Sequence, residues 1–425
     1  MWSKKWLHAG LALLLSISLL TACGGETSGD SGTVTLTFWN GFTGPDGKNM
    51  KEIVDQFNKE HKGKIHVKME AIPWDNFYDK IRTVVASGKA PDVAAMHLDQ
   101  VPRMANKGVL TPLDGHLEKV DLKKEDFLPE VWEAGVYEDK RYGIPLDVHP
   151  IGLYYNVELL KEAGFDKPPT NLKEFLEVAK ATTKDTDGDG KIDQWGFGMP
   201  TLWPAQMIFF SNLHQFGGEA VSSDGTKALY NSEEGEKTLQ LMKDMIFKYK
   251  VSPKNIQQDG ENTLFRQGKM AMHINGIWMI NGLKEQKGLK FAAAPLPQFG
   301  DQKATWASSH NLVLPKQRDE DPKKTEAAMT FVDYVTENSL AWAKAGQIPA
   351  RNSVRESDEF KALKEQSQFA KQVDYLKFHN PTPTFVDVWS PTEQAINKVL
   401  LGQKEPEEAL NQAAKKGEKM AEAQK

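Results

Sequence analysis

At 425 residues the chain has the length of two or three domains. Its formal charge is −5, and 53 basic against 58 acidic side chains mixed along the chain exclude the basic stripe of a nucleic-acid-binding surface. A single cysteine excludes an intrachain disulfide.

Lys4 and Lys5 precede an apolar run from Ala9 to Leu20, followed by Leu20-Thr21-Ala22-Cys23. A basic start, a short apolar core and small residues before a cut describe a secretory signal peptide over residues 1–22. The run is shorter than the roughly 20 apolar residues that span a bilayer. The cut site resembles a bacterial lipobox. That resemblance implies that Cys23 carries a lipid and becomes the mature N-terminus, anchoring the protein on the extracellular face of a bacterial membrane (the periplasmic side in a cell with two membranes). Residues 23–32 are small and polar and read as a flexible tether with a reach of roughly 15–18 Å. Within it Gly29-Asp30-Ser31-Gly32 resembles the nucleophile motif of chymotrypsin-type proteases, but no His and Asp context for a triad accompanies it.

Val34, Leu36 and Phe38 alternate with threonines as a strand does. A turn from Gly41 to Gly47 leads to a helix with Met50, Ile53, Val54 and Phe57 on one face. Ile65, Val67 and Met69 alternate again, and a second helix from Asp75 presents Phe77, Ile81, Val84 and Val85. Pro91-Asp92 then opens the short apolar run Val93 to Met96. Alternating strands and helices predict a parallel α/β sheet, whose ligand crevice lies at the carboxyl ends of the strands. Trp39 and Asn40 end the first strand, Trp74 follows the second, and His97 and Asp99 follow the third. Gly41 to Pro45 does not form the glycine-rich turn of a dinucleotide site.

These residue types suit a sugar. A pyranose has one face of C–H groups, which an indole covers, and a rim of hydroxyls, which Asp, Asn and His satisfy. Trp2 and Trp6 belong to the leader, leaving nine of the eleven tryptophans for the mature chain. Trp132 and Trp342 sit inside helical patterns and read as core. Trp39, Trp74, Trp203, Trp278 and Trp389 lie at element ends or in loops and read as stacking platforms.

Asp185-Thr186-Asp187-Gly188-Asp189-Gly190-Lys191-Ile192-Asp193 matches the first nine positions of an EF-hand loop. Hard Ca2+ takes six to eight oxygens, and alternate acids, a glycine at the sixth position and a carbonyl at the seventh supply them. The twelfth position, normally Glu, is Gly196, so Gln194 or a water would complete the shell. The expectation is a structural Ca2+ held by Asp185, Asp187, Asp189, Lys191, Asp193 and Gln194; the alternative is an Asp/Gly-rich surface turn.

Several segments together carry a family resemblance: Phe38-Trp39-Asn40-Gly41-Phe42, Gly88 to Val93, Tyr142 to Pro145 running on to Gly152 through Asn156, Met270 to Trp278, Phe291 to Pro297, and Trp389 to Leu410. The chain resembles the extracellular solute-binding proteins of ABC transporters, in particular the sugar-binding lipoproteins akin to maltose-binding and multiple-sugar-binding proteins. The resemblance implies an α/β fold of type II. Two hinged lobes, each a mostly parallel sheet flanked by helices, would enclose the ligand cleft. It implies lobes of residues 33–147 plus 297–340 and 148–296 plus 341–425. Trp39, Asn40, Phe42, Trp74, His97 and Asp99 fall at its first-lobe contacts, and His149, Trp203, Trp278 and Trp389 at its second-lobe or hinge contacts. Ser308 and His310 would reach the cleft from the returning segment. His149 stands where the maltose-binding member has an acid, and Met96 where it has an aromatic. The implied function is capture of an oligosaccharide by a monomeric receptor through hinge closure and delivery to a membrane permease, without catalysis. The rival is a secreted glycoside hydrolase, which needs two carboxylates across the scissile bond. Asp99 and Asp147 are the candidates for that pair; neither a GxSxG elbow nor an HExxH motif occurs.

Overall fold

The computed structural model describes residues 32–120 and 122–424. The signal peptide, Cys23 and the tether up to residue 31 lie outside the described residues.

The first sheet has five strands in the order Ile65–Ala71, Val34–Asn40, Val93–His97, His310–Val313 and Ile144–Pro145. The first three are parallel, as the alternation predicts, because each is joined to the next by a helix that crosses one face. The helix Pro45–Glu60 buries Met50, Ile53, Val54 and Phe57 on the stripe read from the sequence. The helix Trp74–Ala86 buries Phe77 and Ile81 on the opposite side, in the cluster with Trp39, Met96 and Val101. Phe38 is fully buried with its ring edge-on to Phe331, 5.2 Å away, on the helix Pro322–Glu337. A side chain buried so completely contributes about 1.5–3 kcal/mol.

The second sheet is organised around one long strand, Asp147–Asn156, buried at all but one position. Met270–Gly276, Phe291–Ala294, Thr305–Ser308 and Ile348–Pro349 all pair with it antiparallel. Trp195–Phe197 and Leu376–Lys377 extend the sheet in parallel. Both sheets are therefore mixed rather than mostly parallel. His310–Val313 returns from the second sheet and enters the first antiparallel to strands already in place.

The chain crosses between the sheets at Leu146-Asp147, at Ser308-Ser309-His310 and again between Val313 and Ile348. The return is later than residue 297, because Phe291–Ala294 is an extra strand of the second sheet rather than a crossing. Likewise Trp342, Ala345 and Ala350 pack with Phe38, Phe42 and Phe331 of the first core, beyond the boundary drawn at 340. Among the described residues no helix is long and apolar enough to cross a membrane.

Candidate functional site

Between the two sheets lies a cavity of about 710 Å³, within the range of small-molecule sites. A cavity of about 830 Å³ opens on the second lobe beside Tyr155, Phe291 and Tyr375, away from the crossing strands. The smaller one is the candidate site, because residues from both lobes and both crossing strands meet there.

Its floor is set by register. His310 pairs directly with His97 across one antiparallel ladder, and Ser308 with His149 across another. Three imidazoles therefore converge, with ring centroids 4.4 Å apart for His149 and His310, 5.1 Å for His97 and His310, and 6.2 Å for His97 and His149. Beneath them is Asp147, fully buried. One of its oxygens accepts from the His310 backbone N–H at 2.9 Å and from His149 Nδ1 at 3.1 Å. The other accepts from His310 Nδ1 at 2.7 Å and from the Trp342 indole N–H at 2.6 Å. Burial alone would raise the pKa of this carboxyl, but His310 and His149 beside it hold it well below the usual range. A carboxylate so placed can only accept, so both imidazoles carry a proton on Nδ1, and the His149 ring, kept neutral, offers Nε2 as an acceptor. His97 is set the opposite way. Its backbone N–H donates to the Tyr78 hydroxyl at 3.1 Å, and that hydroxyl in turn donates to His97 Nδ1 at 2.6 Å, leaving Nε2–H as a donor. Burial, with His310 and His149 nearby, pushes the His97 pKa well down, and burial with His310 lowers that of His149. Two of the three rings, His97 and His149, are thus held neutral, and the floor presents both donor and acceptor atoms.

The walls are aromatic. On the first-lobe side Trp74 lies over Gly41, where a Cβ would fall 2.0 Å from the indole, so only glycine admits the ring. On the second-lobe side Trp278 lies over Gly276 with the same 2.0 Å clearance. Trp203, 47 % exposed at the mouth, sits 5.8 Å from Trp278. Trp306 stands perpendicular to Trp278 at 6.4 Å and donates its indole N–H to His379 Nε2 at 3.1 Å. Burial, then His214, pulls the His379 pKa down to about 3. Trp389 lines the cavity with one edge and otherwise packs on Phe209, Phe210 and Tyr230. Asp46 and Asp99 also line it, and burial raises both their pKa values. No Lys or Arg does so among the described residues.

Of the residues read from the sequence, Trp74, His97, Asp99, His149, Trp203, Trp278, Ser308, His310 and Trp389 meet at this cavity. Three do not. Trp39 points to the other face of its strand, into the cluster under the helix Trp74–Ala86, with the Lys80 ammonium 4.4 Å above its ring. Phe42 is core, edge-on to Trp74 and His310 and tilted against Trp342. Asn40 is fully buried and accepts from the Phe42 N–H at 3.1 Å, shaping the turn rather than facing a ligand. Trp132 and Trp342 are core as expected, the former beneath the Arg141 guanidinium at 3.7 Å. Tyr78, Trp306 and His379 were missed. Tyr78 lies four residues after Trp74 on one helix, and Trp306 two before Ser308 on one strand, so periodicity would have placed both.

In the acidic loop the carboxylates of Asp185, Asp187 and Asp189 converge within 4.8 Å of one another. Asp185 accepts from the N–H groups of Gly188 and Gly190. Asp193 is turned to the N–H and hydroxyl of Thr186, and the Gln194 amide donates to the Thr182 carbonyl. The three carboxylates suit a hard cation, with Asp193 and Gln194 facing other partners.

Comparison with known proteins agrees with this architecture. Residues 24–341 match the family model described as bacterial extracellular solute-binding protein. The chain is 26 % identical over 415 residues to the arabinooligosaccharide-binding protein of Bacillus subtilis, covering 94 % of this chain and 90 % of that one. It is 25 % identical over 438 residues to the maltooligosaccharide ABC transporter solute-binding lipoprotein of Streptococcus pneumoniae, covering 95 % and 94 %. Its fold superposes on the maltose/maltodextrin-binding domain from Bdellovibrio bacteriovorus bound to maltotriose, with a TM-score of 0.77, 27 % identity and coverage of 92 % and 99 %. With the family model spanning most of the chain and the same two-sheet architecture on both sides of the cleft, this protein belongs to the bacterial extracellular solute-binding proteins.

Proposed function

We propose that the protein is the substrate-binding component of an ABC importer that captures an uncharged oligosaccharide between its lobes and hands it to a membrane permease. The observation that carries this reading is the opposition of indoles across one cavity, Trp74 on one lobe and Trp203 with Trp278 on the other, above a floor of three imidazoles. Indole faces take the C–H face of a sugar ring. Nε2–H of His97, Nε2 of His149 and His310, the Ser308 hydroxyl and the Asp99 carboxyl match hydroxyls, which donate and accept at once. Without a Lys or Arg in its lining the cavity offers no fixed cation to a uronate or phosphate. The names of the relatives, for arabinooligosaccharide and maltooligosaccharide, support the ligand class.

The floor also bears on the hydrolase alternative. Asp147 is saturated by four hydrogen bonds and buried, so it can neither attack an anomeric carbon nor take a proton from water. We therefore read the site as binding without turnover. Ligand closes the lobes only to the extent that it binds the closed form more tightly than the open one. Two further parts belong to the same reading. A lipid on Cys23 holds the protein at the membrane near its permease, and Cys23→Ser is expected to release it from the membrane fraction. A Ca2+ held by Asp185, Asp187, Asp189 and the Lys191 carbonyl stiffens the loop before Trp195.

The test is a thermal-shift screen against arabino-, xylo-, galacto-, malto- and manno-oligosaccharides, with the sugar recovered and sized afterwards. At 100 times its dissociation constant a ligand stabilises by about 2.7 kcal/mol. A shift with intact sugar supports the receptor; shortened sugar supports the hydrolase; no shift with any sugar removes the ligand class.

A further inference from the structure

Arg103 and Asp387 meet across the cleft, away from the crossing strands. Arg103 belongs to the first-lobe helix Val101–Asn106, whose Val101 and Met104 pack with Trp39 and Ile81. Asp387 belongs to the second-lobe helix Phe385–Trp389, whose Phe385, Val388 and Trp389 pack with Phe209, Phe210 and Leu410. The two charged groups are 3.4 Å apart, with side chains 17 % and 6 % exposed. Neither residue lines the cavity, although Gln100 on one side and Val386 and Trp389 on the other do. The second Asp387 oxygen is buried without a hydrogen-bond partner. Lys107, just beyond the end of the Arg103 helix, is the other cation acting on this carboxylate.

We propose that Arg103 and Asp387 form a latch made only when the lobes close, which sets ligand affinity without touching the ligand. This rests on the reading of the cleft as a sugar site closed by hinge motion. When the lobes part, water takes over both charges and the pair contributes nothing, so its free energy belongs to the closed state alone. Apparent affinity scales with the population of the competent state, so losing the latch weakens every ligand by one common factor. A residue that contacts the sugar would discriminate between ligands instead.

The experiment titrates wild type, Arg103→Met, the near-isosteric Asp387→Asn, the double variant and the charge-exchanged Arg103→Asp/Asp387→Arg calorimetrically against two sugars that wild type binds. Each single variant is expected to bind both sugars roughly tenfold more weakly, by the same factor, through faster dissociation. The double variant should be no weaker than the singles, and the exchanged pair should recover part of the loss. Melting of the sugar-free single variants should match wild type. Unchanged affinity, factors that differ between the sugars, or losses that add in the double variant overturn the latch. Failure of wild type to bind any sugar overturns the receptor reading, and the latch with it. Binding by wild type with unaffected variants overturns the latch alone.

Discussion

Asp147→Asn is the substitution that the floor of the cleft makes most costly for its size. Asp147 receives four donors, two on each oxygen: the His310 N–H and His149 Nδ1 on one, His310 Nδ1 and the Trp342 indole N–H on the other. An asparagine turns one of those oxygens into an NH2 group, which cannot accept. The imidazole at that end can switch tautomer and accept from the amide. The other donor cannot, since it is either the His310 backbone N–H or the Trp342 indole N–H, and neither can be removed. Whichever way the amide faces, one buried donor loses its partner at about 1–3 kcal/mol. The remaining bonds also lose the charge that made them worth about 1.5–3 kcal/mol each rather than about 1. The two effects together give roughly 3–5 kcal/mol, in the range measured for breaking buried ion pairs. For a chain of this size that lowers the melting temperature by about 4–6 °C. Sugar affinity should fall as well, because the amide forces one imidazole into the other tautomer. Differential scanning calorimetry at neutral pH decides it: an Asn variant that melts with wild type would show that these four bonds are not made in solution.

Trp74→Ala and Trp278→Ala should each weaken sugar binding about tenfold, from roughly 60 Å² of lost apolar contact at about 25 cal/mol/Å². Trp342→Ala should instead cost about 3–5 kcal/mol of stability, and urea titration beside sugar titration separates the two classes. Glu261, buried with one oxygen unpartnered, has its pKa raised to about 7 by burial, then by Asp259. A raised acid stabilises the fold below its unfolded pKa of about 4.5 and loses that contribution as pH rises through 7. Glu261→Gln should therefore flatten stability between those two values, and an unchanged slope would refute the assignment. His214, held down to about 4 by burial and then Lys377, and His273, held down to about 3 by burial, act with the opposite sign. Their contribution is present above about pH 6.5 and is lost as pH falls towards those values, so stability should decline on acidification. For the acidic loop, EDTA should lower the melting temperature, Ca2+ should restore it, and Asp187→Ala should abolish the difference; a melt indifferent to chelator removes the cation.

The first sheet was legible because its signals are local. Period-2 runs and the Met50-Ile53-Val54-Phe57 stripe decide strand and helix without knowledge of anything distant. The chemistry of the cleft was legible at strand ends, since His97 and Trp278 are placed by where elements stop, whereas His149, inside a strand, came only through the family resemblance. Position along a strand does not say which face a side chain takes when both faces are covered. For that reason Trp39 and Phe42, one residue either side of the working turn, proved to be core. The second sheet hid its direction. Its long strand is buried at all but one position, so it shows no alternation, and antiparallel partners arriving from residues 270, 291, 305 and 348 leave no mark of order in a local pattern. His379 was out of reach for the same reason. It meets Trp306 across 73 positions of sequence, and only packing brings them together.

The central claim is that these indoles close on a sugar. It is tested most directly by titrating the protein with purified neutral oligosaccharides while following intrinsic tryptophan fluorescence. The account predicts a saturable change with at least one of them and none with the corresponding uronate oligosaccharides. A protein whose emission stays flat with every neutral sugar, or that responds to the uronates instead, would contradict it.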